Sequence, residues 1–221
     1  ELVNLSGASG SASVTGVTAG QTIGFTDVTM ANTVAFGALT SGSIAVNASA
    51  GTLTTTGNAL TTLALSGTGT TGLAITDGGS TALLQDPITT LNLSTSGSTV
   101  LNTASMYSLA TLTQTGAGGV TLTPGTKLAS ITTGAGADTL RVSTATALDN
   151  PGTTTNEAVN ALVSTGAGND RLVITTSGAG TTTVDAGAGD DTLFVTGLST
   201  GQNSLAGGDG NDAFRITAGS G

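Results

Sequence analysis

The chain has no cysteine, no histidine and no tryptophan, and it holds one tyrosine and four phenylalanines in 221 residues. Without cysteine no disulfide can staple the fold. Without histidine the usual serine and cysteine nucleophile triads are excluded, as are a histidine general base and a zinc centre of the common ligand set. The shortage of aromatics argues against a core built on large rings and against a platform on which sugars stack. Charge is scarce too. Only 8% of residues carry one, and Lys127, Arg141, Arg171 and Arg215 face thirteen acids for a net charge of −9. That balance disfavours nucleic acid and anionic membrane surfaces as partners, and it makes divalent cations the natural counter-charge. No apolar run has the length of a membrane span, so no membrane insertion is expected. The start at Glu1 and the closing Ala218-Gly-Ser-Gly read as a piece of a longer chain.

What is abundant is small. Thirty-five glycines punctuate runs in which Thr, Val, Ala, Leu and Ile alternate with Ser and Gly, a pattern suited to many short strands joined by tight turns. Helix is disfavoured by the same composition; the best 3.6-residue periods, around Ala104 to Leu112 and Glu157 to Val163, predict at most one or two short turns of it.

Repeats decide the architecture. Units such as Leu112-Thr-Gln-Thr-Gly116-Ala-Gly118, Ile131-Thr-Thr-Gly134-Ala-Gly136 and Leu162-Val-Ser-Thr-Gly166-Ala-Gly168 each place a short alternating strand before a glycine turn and an apolar residue after it. Gly116 to Gly134 is 18 residues, Gly134 to Gly166 is 32, and the next two steps are 21 each. This is the consumption of one coil of an all-β, parallel β-solenoid. The long step is assigned to an outward loop within Ala145 to Asn156, where Asp149-Asn150-Pro151-Gly152 is a strong turn cluster. Nine of the thirteen acids lie between Asp138 and Asp212. The expectation is therefore a weakly charged solenoid part over 1–130, running without a linker into a cation-binding part over 131–221.

Four turns in the second part share one spelling: Gly134, Gly136 and Asp138; Gly166, Gly168, Asn169 and Asp170; Gly187, Gly189, Asp190 and Asp191; and Gly207, Gly208, Asp209, Gly210, Asn211 and Asp212. Glycines can take positive φ and aim carbonyl oxygens at a hard cation, while an aspartate from the neighbouring coil supplies a carboxylate. The residue two places after each aspartate is apolar and is expected to point inward. The rival reading is structural, with glycines closing coils and aspartates capping them through Asx-type hydrogen bonds. Asp185, Asp190 and Asp209 read first as solvated carboxylates with only supplementary ligation. Arg141, Arg171 and Arg215, just after the turns, are expected to form ion pairs across neighbouring coils.

These turns resemble the repeats-in-toxin nonapeptide, G-G-x-G-x-D-x-(apolar)-x, and the resemblance implies bound calcium (Ca2+). The fit is complete at Gly207 to Asp212. Ala186 and Thr165 replace the first glycine in the two preceding turns, and in the first turn Thr133 and Ala137 replace the first glycine and the usual Asn or Asp. Because the turns recur every 21 residues rather than every nine, ions would line one edge, within the three gaps between four turns. The gaps between Asp170 and Asp191 and between Asp191 and Asp212 are expected to be the better sites.

Calcium turns within an acidic, cysteine-free chain rich in Thr, Ser, Ala and Gly are also similar to bacterial surface-layer proteins of the Caulobacter type. Thr90-Leu-Asn-Leu-Ser and Thr132-Thr-Gly-Ala-Gly-Ala-Asp-Thr-Leu carry that likeness. Membership would imply a non-enzymatic structural protein, exported by a one-step (type I) secretion system. It would self-assemble with copies of itself into a two-dimensional lattice at the cell surface, with cell-surface polysaccharide reached through another domain. Two other classes compete. A polysaccharide lyase of the β-helix type is one, against which the chain lacks H-E-x-x-H, G-x-S-x-G and stacking aromatics. A calcium-dependent adhesin or ice-binding solenoid is the other, suggested by Thr52-Leu-Thr54, Thr111-Leu-Thr113 and Thr121-Leu-Thr123, although these pairs do not recur at a fixed coil length.

Overall fold

Alternation of one inward apolar and one outward polar residue over three to six positions is the rule along this chain, and it gives strands too short to stand alone. The computed structural model describes residues 2–7, 11–29, 31–77, 87–106, 108–124, 128–143, 160–175, 180–197 and 201–217. Among these residues there is no helix and there are eighteen strands. They are β1 (Leu2–Ser6), β2 (Ala12–Val14), β3 (Thr22–Thr26), β4 (Asn32–Ala35), β5 (Ser41–Thr56), β6 (Thr62–Asp77), β7 (Thr90–Thr95), β8 (Thr99–Asn102) and β9 (Thr111–Gln114). The series continues with β10 (Val120–Thr123), β11 (Ser130–Thr132), β12 (Thr139–Ser143), β13 (Ala161–Ser164), β14 (Arg171–Thr175), β15 (Thr182–Asp185), β16 (Thr192–Thr196), β17 (Asn203–Ala206) and β18 (Ala213–Thr217).

Pairing is parallel throughout and, apart from β4 with β5, β5 with β6 and β6 with β7, skips one strand at a time, which is the signature of a coil returning on itself. One ladder runs β1, β3, β5, β6, β7, β9, β11, β13, β15, β17. The other runs β2, β4, β5, β6, β8, β10, β12, β14, β16, β18. The chain is a β-solenoid with two sheet faces. Strands β5 and β6 are sixteen residues each and serve both ladders, because their edge is turned by bulges rather than by a loop. Both ladders cross from residues before 130 to residues after 131 without a break.

The core lies between the faces as stacked rows of aliphatic side chains. Leu73, Leu101, Leu122, Leu140, Leu172 and Leu193 are in register from coil to coil and all buried. Opposite them, Leu63, Leu91, Leu112, Ile131, Val163 and Val184 form a second row. Burying each such side chain contributes roughly 1.5–3 kcal/mol, and the rows fix the register because a one-residue slip would turn them outward. Three of the four residues placed two positions after a turn aspartate, Leu140, Leu172 and Leu193, are buried as the spacing predicts; Phe214, on the last coil, is 45% exposed.

Coil length varies while register holds. Partners across the ladder are 21 residues apart between Thr22 and Ser43, 28 between Thr61 and Thr89, and 32 between Asp138 and Asp170. The two longer steps contain residues 78–86 and 144–159. The expected loop of Ala145 to Asn156, with Asp149 and Pro151, thus falls outside the described residues, as do Asp86, Lys127 and Glu157. The weak helical periods have a different outcome: residues 111–114 and 161–164 are strands, because their inward residues complete the aliphatic rows.

Candidate metal centre

Between the end of one ladder strand and the start of the next, four coils spend six residues on the same edge: 133–138, 165–170, 186–191 and 207–212. The third residues of these turns, Ala135, Ala167, Ala188 and Asp209, are joined by parallel bridges, so the turns stack squarely. The stack is so close that it dictates the glycines. A Cβ on Gly187, whose φ is +96°, would lie 1.9 Å from the Gly166 carbonyl oxygen, and one on Gly208 would lie 1.8 Å from that of Gly187. The same holds at Gly116 and Gly118, in a turn without an aspartate, where a Cβ would approach Thr95 O to 1.9 Å and Gly97 O to 2.0 Å. Glycine here answers to coil packing, whether or not a carboxylate is present.

Nor are all the glycine carbonyls left for a ligand. Those of Gly134, Gly166 and Gly187 accept the amides of Ala167, Ala188 and Asp209 at 2.9, 2.8 and 2.7 Å. The carbonyls of Gly136, Gly168 and Gly189 are pressed against the glycine of the next coil.

The aspartates behave differently. Each closes its turn and points back along the stack, so that one oxygen accepts the amide of the preceding coil. Val120 N donates to Asp138 Oδ1 at 2.6 Å, Asp138 N to Asp170 Oδ1 at 2.8 Å, Asp170 N to Asp191 Oδ1 at 2.8 Å and Asp191 N to Asp212 Oδ1 at 3.1 Å. Asp138, Asp170 and Asp191 are buried, at 1%, 2% and 1% exposure, while Asp212 on the last coil is half-buried. The capping role is thus real, but it employs only half of each carboxylate. Asp170 Oδ2 and Asp191 Oδ2 are buried with no hydrogen-bond partner.

A second row runs beside the first on the exposed side. Asn169 Oδ1 accepts the amide of Asp190 at 3.0 Å, and Asp190 Oδ1 accepts the amide of Asn211 at 2.9 Å, in the opposite sense to the buried row. Asp190 therefore caps the next coil rather than standing free in solvent. Ala137 occupies this position in the first turn and has no acceptor to offer. Asp209 and Asp185 are exposed.

Burial sets the electrostatics. It pushes the Asp170 carboxyl up to about 6 from 3.8; the Thr165 hydroxyl and the Asp138 amide draw it part of the way back, and the Asp138 and Asp191 charges add to the rise. Asp138 is raised by burial as well, against the pull of the Thr133 hydroxyl and the Val120 amide. Asp191 is raised by burial and, beyond it, by Asp212 and Asp190, with the Asp170 amide acting the other way. The row is thus a line of buried carboxyl groups in which burial works against the charged form. The arginines do not serve: Arg141, Arg171 and Arg215 point outward, and the Arg171 guanidinium lies 5.0 Å from the centre of the Phe194 ring instead of on a carboxylate.

No protein-family model, curated protein or solved structure matches the chain. What the site can hold must be judged on its own donors. Among the described residues no three carboxylates converge in one cluster. The arrangement is linear instead, with one inner aspartate per coil, so that a cation between coils would draw on two carboxylates. An all-oxygen, anionic set of this kind suits a hard cation such as calcium, and the unpartnered Oδ2 atoms of Asp170 and Asp191 are the atoms that call for one.

The pairs Thr52 and Thr54, Thr111 and Thr113, and Thr121 and Thr123 do not stack on one another. Thr62, Thr90 and Thr111 are in register on the outer face, and Thr54 Oγ1 meets Thr76 Oγ1 at 3.0 Å. The row is interrupted further on by Ser130 and by Leu162, so it is no continuous threonine array.

Proposed function

We propose that this chain is a structural, non-enzymatic module of a bacterial surface layer: a secreted β-solenoid that calcium folds outside the cell and that packs with its own copies into a two-dimensional lattice. The observation that carries the reading is the row of buried aspartates on one edge, from which Arg141, Arg171 and Arg215 point away and in which two oxygens lack a partner. In the low calcium of a cytoplasm, those charges and the conformational entropy of a glycine-rich chain oppose folding, and the chain stays fit for export. Outside the cell, a cation held by Asp170, Asp191 and Asp212 supplies the missing positive charge, and its binding energy becomes folding energy. The lattice part of the reading rests on the likeness in composition and turn spelling to surface-layer proteins. A lyase or adhesin role has no comparable support.

Electron microscopy of the purified protein tests this reading. Ordered sheets that form in calcium and vanish on chelation are expected. Protein that stays dispersed at every calcium concentration would count against the lattice.

A further inference from the structure

The residue that opens each turn lies in one inward row and changes from coil to coil: Thr133, Thr165, Ala186 and then Gly207. Each sits beside the aspartate that closes its own turn. In the first turn the Thr133 hydroxyl donates to Asp138 Oδ2, while Val120 N takes Oδ1, so both oxygens of that carboxylate are occupied. The hydroxyl also lies 3.1 Å from Thr165 O, but it has one hydrogen, and the charged, closer acceptor takes it. In the second turn the Thr165 hydroxyl is near enough to lower the Asp170 carboxyl, but its hydrogen goes to Ala186 O at 2.8 Å, and Asp170 Oδ2 has no hydrogen-bond partner. In the third turn Ala186 has no donor, and Asp191 Oδ2 is likewise unpartnered. In the fourth, Asp212 Oδ2 fills the space beside Gly207, where a Cβ would lie only 2.1 Å from it.

We infer that a hydroxyl donated to Oδ2 from the opening position decides whether a turn's aspartate is available to a cation, and that Thr133 closes the first rung in this way. Calcium then occupies the gaps bounded by Asp170, Asp191 and Asp212 but not the one that needs Asp138. The inference rests on the calcium reading above and sharpens it into a count. It also gives the substitution at the first glycine position a function: Thr133 is an internal stand-in that ends the ion row where the weakly charged part of the solenoid begins.

Calcium binding to the full chain, measured by equilibrium dialysis and calorimetry at neutral pH, tests it. Thr133→Ala frees Asp138 Oδ2 and should bind one more calcium per chain than the wild type. Thr133→Ser keeps the hydroxyl and should not. Thr133→Val keeps the branched shape without the hydroxyl and should also bind one more, so that a folding defect of Thr133→Ala does not decide the outcome. An unchanged count in Thr133→Ala, with its β circular-dichroism signal intact, would overturn the inference while leaving the calcium reading standing. A wild type that binds no calcium would overturn both.

Discussion

The amide of Asp170 donates to Oδ1 of Asp191 one coil further on, at 2.8 Å, and the other oxygen of Asp191 is buried with no partner at all. One carboxylate thus has two duties. The first splices neighbouring coils through a charge-assisted hydrogen bond, and the second leaves half a negative charge in a place water does not reach. Removing the charge while keeping the acceptor separates them. In Asp191→Asn the amide oxygen can still accept from Asp170 N, so the variant should melt at a higher temperature than the wild type in chelator. The same variant should lose most of the wild type's gain in melting temperature on adding calcium. Thermal melts followed by circular dichroism, with and without calcium, check both halves.

The pH dependence in chelator follows from the raised carboxyls. The folded-state value for Asp170 is about 6 against an ordinary 3.8, so between these limits the folded state holds the proton more tightly than the unfolded chain does. Stability from this source is present at low pH and is lost as pH rises through about 6; Asp138 and Asp191 shift in the same direction. Ion-free protein should therefore become less stable between about pH 4 and pH 7, the reverse of ordinary acid denaturation. Saturating calcium should flatten or invert the trend. Urea midpoints across that range measure it.

Glycine at the stacked turns is a steric requirement. In Gly187→Ala the new Cβ would collide with the Gly166 carbonyl, at 1.9 Å, on a backbone whose φ is +96°. Overpacking and left-handed strain together should cost on the order of 2–4 kcal/mol, with or without calcium. Denaturant titration gives the number, and the insensitivity to calcium distinguishes this effect from loss of a ligand.

Leu172 and Leu162 differ by ten positions and by one face. Leu172 is fully buried in the leucine row, and Leu162 is 52% exposed. Leu172→Ala should destabilise by about 2–5 kcal/mol, whereas Leu162→Ala should stay within about 0.5 kcal/mol. Equal effects would mean that the register of β13 and β14 is wrong.

Much of this architecture is legible in the residues. The recurrence of Gly-x-Gly at 166/168, 187/189 and 208/210, with an apolar residue two places after each aspartate, places both the turn and the inward row. The parallel stacking follows, since one turn per coil can align only if successive coils run the same way. Other features depend on what lies one coil away and so leave no local trace. The pairing of Asp138 N with Asp170 Oδ1 spans 32 residues, and no spacing rule shows which oxygen the amide takes. Thr133 reads as a departure from the glycine motif, and its meaning emerges only beside Asp138. Arg171 follows an aspartate in sequence yet faces outward, because strand alternation puts successive side chains on opposite faces. The threonines at 62, 90 and 111 are unequally spaced along the chain and in register in space.

The most direct test of the calcium account is far-UV circular dichroism of the full chain at neutral pH, recorded in calcium, then in excess chelator, then after calcium is restored. The expected result is loss on chelation of at least the β signal from residues 131–221, with recovery when calcium returns. A spectrum that is the same in all three conditions would contradict the claim that a cation completes the aspartate row.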